Sequence, residues 1–232
     1  MLYQILSGNF NIVSVLMGIL ATTIIIMVIL PFHELAHGFV AYKLGDDTAK
    51  RQGRLTFNPL AHINYMGAVC LLLVGFGWAE PVPVNYYRLK NPKRDMALVA
   101  LAGPVANLIA AVVGELLVNL FLVIVPLSNA DTVWYSAVVV FFYYYVQVNV
   151  NLAVFNLIPL PPLDGSKILG AFLPEKAYQA LLMNERNLSM ILMILLVTNV
   201  IDKIMDVPCE LLMSFVEMLA WLPFMPFFGS LG

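Results

Sequence analysis

Charge is what this chain has least of. Asp, Glu, Lys and Arg make up 11% of its 232 residues and hydrophobic residues 61%, against roughly 25% and 45–50% in ordinary soluble domains. Only two cysteines occur, Cys70 and Cys209. Both sit in apolar context without metal-type spacing, which excludes a disulfide scaffold and reads as buried packing. The net charge is −2, and no basic stripe exists of the kind a nucleic acid would need, so no nucleic-acid partner is expected. No internal repeat is visible, and no polar block is long enough for a separate soluble domain. The first eleven residues hold no Lys or Arg, and no cleavage-like site follows the first apolar run, so no signal peptide is expected. What remains is apolar: the mean hydropathy is +0.88. A soluble fold of this size would not hide that much apolar surface from water. Lipid must cover part of it, so the sequence reads as an integral, multi-pass membrane protein of all-α class.

A bilayer-spanning helix needs about 20 mostly apolar residues. Residues 12–44 form one long run, interrupted by Pro31 and the polar pair His33 and Glu34. Residues 96–125 and 133–158 form two more, and 188–201 and 209–228 two shorter ones. The stretch 63–79 is short and flanked by Pro and Gly, which reads as a re-entrant or protein-buried segment, with a true span as the alternative. The expectation is a bundle of five to six transmembrane helices, with a re-entrant or short β segment between the first and second core helices. The β reading comes from 53–58 and 78–85, which look like short extended segments whose free edge would accept a substrate strand; an ordinary amphipathic loop is the equal alternative. Eleven of the twelve basic residues fall on one side of this arrangement. That side is expected to be cytoplasmic, with the N-terminus outside and the protein in the cell membrane. Residues 174–187 read as an interfacial helix.

Polar residues at membrane depth cost roughly 2.5–3.5 kcal/mol each when charged, so they demand a reason. The chain places His33-Glu34-Leu35-Ala36-His37 near the cytoplasmic end of its first span. Histidines four apart share one helix face, so both imidazoles reach one metal. Glu34, about 100° round the helix, is close enough to reach a water on that metal, the logic of the H-E-x-x-H zinc peptidase motif. Catalytic zinc takes three protein ligands, and with no second H-x-x-x-H the third is a carboxylate or His62. The best carboxylate is Asp164. It follows a helix broken by Pro159, Pro161 and Pro162, and irregular backbone at membrane depth is tolerated only where it is buried or lines a wet cavity. The charge-derived topology puts this break at the level of the histidines.

HELAHG at 33–38 together with NLIPLPPLDG at 156–165 resembles the site-2 protease family of intramembrane zinc metalloproteases, and AGPVAN at 102–107 resembles that family's middle core helix. The resemblance covers roughly residues 12–170. It implies one zinc per chain held by His33, His37 and Asp164, with Glu34 as catalytic base and Asn156 helping to hold substrate or the oxyanion. It also implies a compact member, one membrane domain over 1–232 with a catalytic core at 12–170 and C-terminal helices at 188–232, and no PDZ-like or CBS-like domain. The expected activity is cleavage of membrane-spanning protein substrates near the cytoplasmic face, with the lipid bilayer as surroundings and oligomeric state open.

The alternative is a catalytically silent metal-binding or transport protein. A transporter strings polar ligands along a path across the membrane, whereas here they cluster at one depth. Asn107 is expected to face the core and support a metal ligand, and His62 to support a metal ligand, touch substrate or be an interfacial loop histidine. Glu115 is expected to pair with Asn119 one turn on. Gln147, Asn149 and Asn151 are expected to form inter-helix hydrogen bonds.

Overall fold

The structure is a computed structural model that describes Leu20, residues 23–74 and residues 78–224. The start of the expected first span, and residues 75–77 of the 63–79 stretch, lie outside the described residues. Every regular element among those described is helical. The chain divides after Gly103 into two compact units.

In the first unit, a π-helical turn at Ile25–Ile29 leads into α1, Leu30–Lys43. Pro31 lacks an N–H and cannot continue the i→i−4 ladder, so a local change of hydrogen-bond register falls just before it. Gly45 ends α1 at φ 110°, a conformation costly for any residue with a Cβ. The Asp46 N–H then turns back to the Ala41 carbonyl at 2.9 Å. A short helix α2, Thr48–Arg51, follows. At this exposed corner a hydrogen bond from Arg51 holds the Asp47 carboxyl below its ordinary range, with the charges of Arg51 and Arg88 acting the same way. The Asn58 side chain caps a 3-10 turn at Pro59–Ala61, and Asn64 Oδ1 accepts the Gly67 N–H at the start of α3, Tyr65–Val74.

Helix α3 has ten residues, about 15 Å of rise against a hydrocarbon core of about 30 Å. It cannot cross. A Cβ on Gly67 would lie 2.1 Å from the Trp78 carbonyl oxygen, so the residues after α3 return against its first turn. Residues 78–85 have no regular secondary structure, with Asn85 extended, and neither they nor 53–58 form a strand ladder among the described residues. The expected small sheet is absent for a physical reason. Pro81 and Pro83 remove two donors, the Glu80 N–H goes to the His62 carbonyl at 2.8 Å, and others of the segment's polar groups are taken by side chains. The Arg54 guanidinium donates to the Glu80 and Pro81 carbonyls at 2.7 and 3.3 Å, and carboxylates receive the Val82 and Asn85 N–H groups.

Helix α4, Pro92–Ile124, begins in the first unit and ends in the second. The second unit continues with α5, Val133–Leu157, α6, Asp164–Phe172, α7, Glu175–Met183, α8, Glu185–Val197, and α9, Val200–Trp221. Ala111, Val146, Val150, Val154 and Val216 form its main core, joining α4, α5 and α9. Gly114 makes this possible, since a Cβ there would meet Tyr145 Cδ1 at 2.7 Å. A second core of Leu163, Leu192 and Ile201 packs under the proline-rich turn.

Three helices among the described residues are long and apolar enough to cross a membrane: α4, α5 and Val200–Phe224. A fourth candidate is the pair α7 and α8, bent by 66°. Only 28%, 28% and 11% of the apolar windows of the three are buried, which leaves most of their apolar surface for lipid. The last span begins at Val200, nine residues earlier than the sequence pattern suggests, because Asn199 takes the left-handed conformation at φ 55° and restarts the helix there.

Candidate metal centre

His33 and His37 lie one turn apart on α1 and both are buried, at 5% and 7% exposure. Their rings meet edge to face with centroids 4.7 Å apart and planes at 83°. The two Nε2 atoms are 3.0 Å apart. The His37 Nδ1–H donates to the Val99 carbonyl on α4 at 2.7 Å. A carbonyl only accepts, so the proton is on Nδ1 and the His37 Nε2 lone pair is turned toward His33. This is the usual way a second partner orients a metal-ligating histidine. Two zinc–nitrogen bonds of about 2.0–2.1 Å in tetrahedral geometry put the nitrogens about 3.3 Å apart. The observed pair fits that to a few tenths of an ångström.

Gly103 frames the other side of the pair. A Cβ built on it would come within 2.5 Å of His33 Nε2, His33 Cε1 and His37 Nε2. The volume in front of both nitrogens therefore exists only because residue 103 has no side chain. Sequence reasoning passed over this residue. The available signal was a glycine inside a long apolar helix, where glycine costs about 1 kcal/mol relative to alanine and needs a packing reason.

Glu34 is half-buried beside the pair, and its Oε2 accepts the Val82 N–H at 2.9 Å. One carboxylate oxygen is thus anchored by main chain. Gly38, one turn on, lets the Val82 segment lie directly on α1, where a Cβ would meet Val82 Cγ1 at 3.0 Å.

In the second unit, Asp164 is buried, at 6% exposure, as the first residue of α6. A carboxylate there is favoured by the exposed N–H groups and dipole of the helix start. Lys167, one turn on, donates to its Oδ1 at 3.2 Å. Asn156 sits half-buried at the end of α5, and its Nδ2 gives one proton to the Leu152 carbonyl at 3.0 Å. Asn107 is fully buried, and neither side-chain atom has a hydrogen-bond partner among the described residues.

His62 is buried at 1% exposure rather than interfacial. Its Nε2–H donates to the Thr56 carbonyl at 3.0 Å, which ties the loop 56–62 to itself. The expected inter-helix bonds are also replaced in part. Asn149 Nδ2 donates to the Tyr145 carbonyl of its own helix at 2.9 Å, the nearest acceptor at i−4. The Asn119 amide nitrogen is buried without a partner among the described residues, so it makes no bond to Glu115.

The model of "Peptidase family M50" matches residues 120–200. "Putative zinc metalloprotease YwhC" of Bacillus subtilis is 45% identical over 161 residues, which are 68% of this chain and 71% of the relative. The chain belongs to peptidase family M50, the site-2 protease family. Two more distant M50 relatives are "Putative zinc metalloprotease Rip2" of Mycolicibacterium smegmatis and "Putative zinc metalloprotease MJ0611" of Methanocaldococcus jannaschii. They are 31% and 30% identical, over 74% and 60% of this chain and 64% and 63% of their own lengths. This chain thus spans a little under two thirds of both. No solved structure gives a significant match. As an M50 member with apolar helices of spanning length, the chain is a membrane zinc metalloprotease.

Proposed function

We propose that this M50 chain is an intramembrane endopeptidase that cuts membrane-spanning protein substrates near the cytoplasmic face, with one zinc held by His33, His37 and Asp164. The observation that carries the reading is the histidine pair. Two Nε2 atoms 3.0 Å apart, with His37 held in its tautomer by Val99, form half of a tetrahedral donor set. Asp164 is the third ligand because a buried carboxylate at a helix start is ionised and oriented at little cost, and because zinc peptidase sites need a third protein donor.

Zinc, when bound, supplies Lewis acidity toward water and toward the scissile carbonyl. Glu34 takes the proton of the attacking water at Oε1, since Oε2 is engaged by Val82, and returns a proton to the leaving amine. Asn156 retains one amide proton beyond its bond to Leu152 and offers it to substrate or the developing oxyanion. Asn107 serves as a supporting hydrogen-bond partner, which would satisfy its buried amide. His62 has a loop role. The chain acts as one membrane domain with five crossings, at 12–44, α4, α5, the bent α7–α8 pair and α9. Residues 63–79 return to the side they left, and the N-terminus is outside.

The test is Glu34→Gln, compared with the parent for zinc per chain and single-turnover cleavage of a synthetic single-span peptide. Gln is nearly isosteric but cannot accept the proton, so zinc stays and the rate falls by about 10²–10⁴-fold. Normal zinc with near-parental cleavage removes Glu34 as the base. A parent that binds zinc stoichiometrically yet cleaves nothing returns the protein to the metal-binding or transport reading.

A further inference from the structure

One buried carboxylate has no part in the chemistry above. Asp46 has 0% exposure and sits in the corner after α1. Its own N–H bonds to the Ala41 carbonyl, which places it level with that turn. Its Oδ1 accepts the Thr48 N–H at 3.0 Å and the Thr48 hydroxyl. Its Oδ2 accepts the Asn85 N–H at 2.6 Å. A buried charge is costly unless its hydrogen bonds are made, and here three donors make them. One donor belongs to the segment whose Val82 N–H rests on Glu34.

Two carboxylates thus hold two amides three residues apart on one segment. Pro81 and Pro83 stiffen the segment by fixing φ on either side of Val82. Arg54 grips the carbonyls of Glu80 and Pro81. Val82 itself packs at the Gly38 notch.

We propose that Asp46 is a positioning residue for the peptidase reaction. It sets the register of residues 82–85 along α1, keeps the Val82 N–H on Glu34 Oε2, and thereby fixes where Oε1 points. The inference rests on the reading of Glu34 as base. Without the Asp46–Asn85 bond the segment slides and Glu34 loses its anchor. The loss falls on the chemical step, because a displacement of about 1 Å at a reacting group costs up to about 10²-fold in rate.

The test uses the full chain in detergent and the single-span peptide that the parent cleaves. Asp46→Asn removes an acceptor. Asn85→Pro removes the matching N–H, together with the Asn85 Oδ1 cap on the Tyr87 N–H, and gives a second route should the first variant fold poorly. The expected result is a kcat lower by roughly ten- to hundredfold, with KM within about twofold, zinc content as in the parent and a melting temperature lowered by no more than a few degrees. In the Glu34→Gln background, Asp46→Asn changes the residual rate by less than twofold, because the group it positions is already gone. An equal fractional loss in both backgrounds, near-parental kcat, or loss of zinc or fold in both variants overturns the proposal. A Glu34→Gln rate close to the parent's would instead overturn the base assignment itself, so the two failures are told apart.

Discussion

Gly103 sets how much room the two histidine nitrogens have. A Cβ at this position would lie 2.5 Å from each Nε2, in the space a ligated ion needs. Gly103→Ala is therefore expected to lower zinc per chain below about a tenth of the parental value and cleavage with it. The helix itself should not suffer, since alanine is about 1 kcal/mol the better helix former. Metal analysis beside far-ultraviolet circular dichroism checks both halves of that statement. Asp164→Ala is expected to empty the site as well, while His62→Ala keeps zinc. The His62 imidazole is spent on the Thr56 carbonyl, so its loss costs about 1 kcal/mol of loop stability, readable as a small drop in melting temperature. Zinc lost from His62→Ala alone would mean the ligand set is wrong. The H-E-x-x-H pattern at 33–37 and the proline break before Asp164 were legible because side-chain identity and spacing carry them. The Val99 carbonyl and the Val82 N–H were not, because every residue type except proline offers the same main-chain groups.

Among the elements, the turn between α5 and α6 is tightly constrained. A Cβ on Gly165 would lie 2.2 Å from the Leu157 carbonyl oxygen and 2.4 Å from that of Ile158. The chain leaving α5 is folded directly onto the first turn of α6, where Asp164 sits. Gly165→Ala is expected to push the turn away, displace Asp164 and weaken zinc binding by roughly ten- to hundredfold, as for groups that support a metal ligand. It should also lower the melting temperature, since Leu163 packs in the adjoining core. Chelator competition and a thermal melt measure the two effects, and parental zinc affinity would show the turn to be adaptable. The prolines announced a break here, but its tightness is a matter of two backbones in contact. Residues 78–85 teach the complementary lesson. Alternating Pro and Val read as a strand, yet a ladder needs a partner backbone, and here Glu34, Asp46 and Arg54 are the partners.

For the whole molecule the open quantity is orientation, proposed from the side shared by eleven of twelve basic residues. Asn91 precedes α4 and Asn129 follows it. The 33 residues between the ends of that helix rise about 50 Å, more than a bilayer's hydrocarbon thickness of about 30 Å. Single cysteines at the two positions, with Cys70 and Cys209 replaced by alanine, should react from opposite faces. A membrane-impermeant maleimide on intact cells should label position 129 and spare position 91. Labelling of both from outside would reverse or break the proposed topology.

Composition alone determined that this chain lives in lipid, because too little of it is polar to cover a soluble surface. Residue spacing determined that His33 and His37 share one face, because a helix turns i and i+4 together whatever surrounds it. Two short motifs far apart in sequence carried the family. Tertiary structure decided the remainder: which carbonyl sets the His37 tautomer, which glycine leaves room in front of the nitrogens, and which amide holds Glu34. It also decided that residues 78–85 are held by Glu34, Asp46 and Arg54 rather than paired in a sheet. These are contacts of main-chain groups and missing atoms, which depend on where the backbone passes and leave no mark of their own in the order of side chains.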